Sequence, residues 1–202
     1  MAGVAPTPAF ASVDLDIAVI GAGTEFGRIH RATFPDPLGF GKTPTRFSDP
    51  RRRVEAKRFG VLYLGSSLKV CFLETILRDE RDGVVGDVAI AESELDARHY
   101  AEIRVAAELR LLDLRSDGPV RMGIPTDVVR GRTQALARQW SVAFHDHPAM
   151  IDGLIYPSRL NNETNIAIYG RSVARLETLR SHVLKRAPGI ADVLDDFLVS
   201  LM

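Results

Sequence analysis

Apolar residues along this chain recur in two rhythms, short continuous or alternating runs bounded by turn residues and longer stretches at three- and four-residue spacing, so strands and helices are both expected. LDIAVI (15–20) and FGRIHR (26–31) read as short strands, most simply a pair, around the turn-prone Gly21-Ala22-Gly23. From Ala32 to Gly60 no apolar period persists, and Pro35, Pro37, Pro44 and Pro50 exclude a long helix, which predicts an extended or looped segment that lies on the surface or lines a site. VLYLG (61–65) has a buried-strand pattern, and Ser66 or Ser67 can cap a helix that continues to about Arg78. On that helix Val70, Leu73, Glu74 and Leu77 share one face, so Glu74 sits beside an apolar stripe, where a carboxylate is costly without partners.

VVGDVAI (84–90) and the run from His99 to Leu114 suit strands, although AEIRVAAELRLL also fits a helix. Thr126-Asp127 opens a helix to about His145, with Val128, Val129, Leu136, Trp140 and Phe144 on its buried face. GLIYPS (153–158) and IAIYG (166–170) form two strands joined by the polar link NNETN, and a last helix follows Pro188, with apolar spacing from Ile190 to Leu201. Strands and helices mix without a regular βαβ alternation, which favours α+β over a doubly wound sheet.

Composition narrows the reading to one compact domain. At 202 residues the chain can bury a sizeable core, and residues 15–202 are taken as that unit. Residues 1–14 are read as a loose tail, since MAGVAPTPAFASVD lacks the basic opening of a secretory signal. Lys+Arg and Asp+Glu stand at 26 each, so no whole-chain field draws the protein to nucleic acid or an acidic membrane, and any anion binding must be local. No apolar run reaches the ~20 residues that span a bilayer. Cys71 is the sole cysteine, which excludes an internal disulfide and a cysteine-based zinc cluster and suits a reducing cytoplasm; its setting KVCFL reads as packing.

Three motifs offer chemistry that their surroundings do not support. IAVIGAGTEFG (17–27) looks like a dinucleotide-binding strand and glycine turn, but that device needs a helix N-terminus to receive the pyrophosphate, and Pro35 and Pro37 leave too little chain for one. His145-Asp146-His147 invites a metal, yet His and Asp at a helix end more often serve as caps and surface polar groups. Arg51-Arg52-Arg53 reads as a solvated loop face or a partner contact.

A further set is ordered along the chain: Arg46-Phe47, then Tyr63 on its strand, then Glu74 on the following helix, and much later Tyr156-Pro157-Ser158-Arg159. In this order they resemble the RES domain, a toxin family named for an Arg, a Glu and a Ser. AGTEFGRIH also looks like that family's N-terminal strand and places Arg28 at a second Arg position. The resemblance runs from about Gly21 to Arg171, with one departure: the segment from Arg46 to Tyr63 is longer and more basic than the family's compact form.

The resemblance implies a fold like the ADP-ribosyltransferase core of diphtheria toxin, here a split mixed β core flanked by helices. It also implies the toxin half of a toxin–antitoxin pair that acts in the cytoplasm on NAD+. NAD+ is then the substrate, with no metal or other cofactor. Cleaving its N-glycosidic bond passes through an oxocarbenium-like state that a fixed carboxylate, Glu74, stabilises. Tyr63 offers a ring face and a hydroxyl, Arg46 or Arg28 the forked donors that match phosphate oxygens, and Ser158, Arg159 and His30 further polar contacts. Water, phosphate or a protein side chain could accept the ADP-ribose, which leaves glycohydrolase, phosphorylase and ADP-ribosyltransferase activities open. A catalytically inactive module that holds a partner through its apolar C-terminal helix is the alternative of another class. The implied partner is an antitoxin with a helix-turn-helix DNA-binding domain, in a hetero-oligomeric complex that leaves this chain with no direct nucleic-acid contact.

Overall fold

The structure is a computed structural model that describes residues 4–51, 57–78 and 83–202. Its strands are β1 (Ile17–Ile20), β2 (Glu25–Arg31), β3 (Val61–Gly65), β4 (Val88–Ile90), β5 (Arg98–Val105), β6 (Leu109–Asp113), β7 (Gly153–Pro157), β8 (Thr164–Tyr169), β9 (Leu176–Val183) and β10 (Val199–Leu201). Its α-helices are α1 (Leu68–Phe72), α2 (Glu92–Asp96), α3 (Gly118–Arg121), α4 (Thr126–Arg130), α5 (Ala135–His145) and α6 (Ile190–Asp196). Eight strands form one sheet in the order β1-β6-β7-β8-β3-β2-β5-β9, and β10 pairs with β4 apart from it. The β6–β7 ladder is parallel and the other ladders of the large sheet are antiparallel, so the sheet is mixed and the α+β expectation holds. Among the described residues no helix is long and apolar enough to cross a membrane.

Alternation along the strands sorts their side chains into layers. On β8, Ala167 and Tyr169 join a cluster with Trp140 and Phe144 of α5, while Ile166 and Ile168 point the other way. Buried members of that second cluster, among them Phe26, Leu62, Ile103, Leu111 and Ile155, come from β2, β3, β5, β6, β7, β8 and β9, so strands from both halves of the sheet pack against one another and the sheet curls. A third cluster lies under α1, α2 and α6.

The join between the two halves is narrow. β2 and β3 pair only at Gly27 and Gly65, and a side chain at Gly27 would strike the Tyr100 ring, its Cβ lying 2.6 Å from that ring. Beyond this pair the strands part, and the cleft between them holds the candidate site. The expected split β core takes this form.

Four expectations are corrected. β1 does not pair with β2: it pairs with β6 at one edge of the sheet, five strands away, because Gly23 (φ 91°) and Thr24, whose hydroxyl donates to the Gly21 carbonyl, turn the chain out of the ladder. The helix expected over 126–145 is two helices, broken where Gly131 takes extended backbone (φ −62°, ψ 141°). The C-terminal helix stops at Asp196, since Leu198 enters the left-handed region and the chain then pairs as β10 along β4. Residues 4–14 are not loose: Pro8–Ser12 form a 3₁₀ turn, Phe10 packs edge-on to Trp140 at 5.1 Å, and the Trp140 indole donates to the Val4 carbonyl.

Candidate active site

Glu74 is carried on an irregular helix. Ser67 caps α1 by accepting from the Val70 amide at 3.1 Å, and its hydroxyl donates to Glu163 at 2.6 Å, which ties the helix start to the β7–β8 link. After Phe72 the helix widens into a π-helical turn, Leu73–Leu77, a form that recurs at functional sites because it re-aims the side chains it carries. Leu73 and Leu77 go into the core, and the half-buried Glu74 faces the cleft.

The cleft is a cavity of about 450 Å³, within the range of small-molecule sites. Arg28 and Ile29 of β2 and Tyr63, Leu64 and Gly65 of β3 form its floor and sides. Gly41, Thr43, Pro44, Thr45 and Arg46 bring in the proline-rich loop, and Tyr156, Pro157, Arg159 and Asn165 come from β7, β8 and the turn after β7. Among the described residues, four arginines, Arg28, Arg46, Arg78 and Arg159, and one carboxylate, Glu74, are therefore its charged lining.

Arg46 is held in place from several sides. The Tyr63 hydroxyl accepts from the Phe47 amide and shares a hydrogen bond with the Thr45 hydroxyl, both at 2.9 Å, and so grips the residues on either side of Arg46. Ser141 of α5 donates to the Phe47 carbonyl at 2.5 Å. The Arg46 guanidinium donates to the Gly131 carbonyl at 2.9 Å, a group made available by the break between α4 and α5. Burial lowers the Arg46 pKa, since a charge in the cleft loses water, with Arg78 and Arg159 adding repulsion against the pull of Tyr156 and Glu74. An anion entering the cleft would replace that lost solvation.

The remaining expected site residues divide. Arg28 lines the cavity, but its guanidinium donates to the Pro37 and Gly39 carbonyls at 2.5 and 2.6 Å, which folds the loop over β2; burial pushes its pKa down to about 10 against the pull of Asp36. Arg159 lines the cavity. Ser158 is fully buried behind Glu74, where its hydroxyl accepts from the Leu160 amide at 3.1 Å and donates to Glu74 Oε1 at 2.7 Å. It holds the carboxylate, and the expected direct contact with a ribose or phosphate is not available to it. His30 lies away from the cavity, with Nδ1 against the Phe34 carbonyl at 3.0 Å and its pKa lowered, chiefly by burial.

Sequence reading missed Arg78 and Asn165. Arg78 follows Glu74 by four residues, one helical turn, and that spacing could have revealed it. Asn165 ends a link read as loop; only the register that sets it opposite Gly65 and Tyr156 brings its amide to 3.3 Å from Glu74 Oε1. Cys71 also reaches the cavity wall, but burial raises its thiol to about 12, which keeps it protonated and inert, as its packing role requires. At His145-Asp146-His147, His145 stacks on Phe59 at 4.1 Å and bonds Asp146 at 2.8 Å, and no metal-binding cluster of His, Cys, Asp and Glu occurs among the described residues. Arg51 bonds Asp49 and Asp146, and Arg52 and Arg53 lie outside the described residues.

These features define a single mixed α/β domain whose curled sheet opens onto a basic cavity. The family model described as RES domain matches residues 22–186, and the chain belongs to that family. It is 38% identical over 127 residues to "Probable toxin y4kH" of Sinorhizobium fredii, a match that covers 62% of this chain and all of that protein. Its fold is similar to a chain of the crystal structure of the M. tuberculosis MbcT–MbcA toxin–antitoxin complex, with a TM-score of 0.61 and 18% identity, over 89% of this chain and 91% of the other.

Proposed function

We propose that this protein is the toxin of a toxin–antitoxin pair and that it cleaves the N-glycosidic bond of NAD+. The observation that carries the reading is the placement of one held carboxylate, Glu74, among four arginines in a cavity of ligand size. A pyrophosphate supplies the charge the arginines lack, and guanidinium forks match its oxygens. Tyr63 and Tyr156 give flat apolar faces for a ring.

As the bond to nicotinamide breaks, positive charge develops on the ribose. Glu74 Oε2 accepts no hydrogen bond among the described residues, so it is the oxygen left to meet that charge or to take a hydrogen bond from a ribose hydroxyl. Ser158 is not the nucleophile in this mechanism, because it is fully buried and its proton is committed to Glu74. The antitoxin partner, read as a helix-turn-helix DNA-binding protein, and the cytoplasmic site of action belong to this proposal.

Incubation of the purified protein with NAD+ tests it. Free nicotinamide without labelled protein is the expected result, and the Glu74→Gln variant loses on the order of 10²–10³ in rate while melting at the same temperature. Labelled target that accounts for all the nicotinamide released would redirect the reading to ADP-ribose transfer. Intact NAD+ and unimpaired growth in cells expressing the chain would leave a partner-binding module.

A further inference from the structure

Among the described residues two donors reach Glu74, and they bond the same oxygen: Ser158 Oγ lies 2.7 Å and Asn165 Nδ2 3.3 Å from Oε1. The two come from different strands of the β7–β8 hairpin, one just past the end of β7 and one within β8, and each is nearly or fully buried, with Asn165 at 6% exposed. Ser158 cannot turn elsewhere, since its oxygen accepts from the Leu160 amide and its single proton is left for Glu74. Asn165 differs from Ser158 in that it also lines the cavity. The Glu74 carboxylate can rotate about its last torsion, Cγ–Cδ, which is soft. One donor fixes a point; a second donor on the same oxygen, from another direction, fixes the plane.

We propose that Asn165 is a positioning residue for Glu74: together with Ser158 it pins Oε1 against the hairpin so that Oε2 alone is presented to the cavity. The idea rests on Glu74 as the group that meets charge on the substrate. It predicts that the hydrogen-bond donor matters and not the volume of the side chain, because Asp has nearly the shape of Asn but no amide to give.

Asn165→Asp and Asn165→Ala, purified and checked for a native melting profile, are compared with the unmodified protein for nicotinamide release from NAD+. Each lowers kcat by about ten- to a hundredfold, the scale of a misplaced reacting group, with KM nearly unchanged. The near-isosteric Asn165→Asp is at least as damaging as Asn165→Ala. Asn165→Asp milder than Asn165→Ala, or a loss confined to KM, overturns the proposal. Infrared spectra of protein carrying ¹³C-labelled glutamate carboxyls, with Glu74 isolated by subtracting Glu74→Gln, give a readout that needs no NAD+. Two donors on one oxygen make the two C–O bonds of the carboxylate unequal and widen the separation of its two stretching bands, and Asn165→Ala, which removes one donor, narrows that separation. Unchanged bands in a folded variant overturn the positioning role, whereas a shifted band in a protein that never releases nicotinamide sinks the NAD+ reading alone.

Discussion

Tyr63 spends its hydroxyl on the protein. Its ring lines the cavity, but the oxygen accepts from the Phe47 amide and bonds the Thr45 hydroxyl, the two residues that flank Arg46. Burial raises the Tyr63 pKa, so the phenol stays protonated with its proton available to Thr45. Tyr63→Phe keeps the ring and deletes the grip, leaving the Phe47 amide without its partner. The expected outcome is a loss of about 1–3 kcal/mol in urea unfolding, the cost of one orphaned buried donor, together with a raised KM for NAD+ as Arg46 loosens. A variant with unchanged KM would mean that Arg46 is held well enough by Gly131 and Ser141 alone, or that it does not bind the substrate.

At the scale of elements, the unit from β3 through α1 to the π-helical turn is the most legible part of the site, because one strand, one capping serine and one apolar stripe occur without a gap in the sequence. Glu74, Tyr63 and the Tyr156-Pro157-Ser158-Arg159 motif could be found that way, and the hairpin of β7 and β8 falls where its two apolar runs predict it. What could not be read depends on register and on distant contacts. The separation of β1 from β2 follows from pairing with β6, some ninety residues on, and Asn165 acquires its partner only when β8 is laid against β3. The break at Gly131 is likewise tertiary, since the freed carbonyl serves Arg46 from 85 residues away. Gly65 tests whether the β3–α1 unit is as tight as it looks. A Cβ there would lie 2.6 Å from Val70 Cγ1 and 2.8 Å from Cys71 Sγ, both on α1. Gly65→Ala must push α1 off the strand, costing about 1–3 kcal/mol by overpacking and displacing Glu74, so unfolding and nicotinamide release both suffer. Gly21→Ala, with no atom within 4 Å of its Cβ, is the control and leaves both within error. Equal behaviour of the two variants would refute the tight junction.

At the scale of the whole molecule the formal charge is zero, yet among the described residues the charged lining of the cavity is four arginines against one carboxylate. The excess is confined to the cleft and is compensated elsewhere by acidic residues, many of them in exposed pairs such as Lys69–Asp196 and Lys185–Glu92. Two consequences diverge with ionic strength. Exposed pairs of this kind contribute about 0–1 kcal/mol each, so the unfolding temperature should hardly move as salt is raised. Capture of an anionic dinucleotide by the cleft depends on a local field, and that field shortens from about 10 Å at 0.1 M salt to about 3 Å at 1 M. KM for NAD+ is therefore expected to climb steadily over this range while kcat, set by Glu74 inside the closed contact, stays nearly constant. Measuring both parameters at several concentrations of an inert salt separates the two effects. A KM that ignores salt would show that the arginines serve the loop and the hairpin and not the pyrophosphate, and would leave Arg28, with its two carbonyl partners, as the pattern for all four.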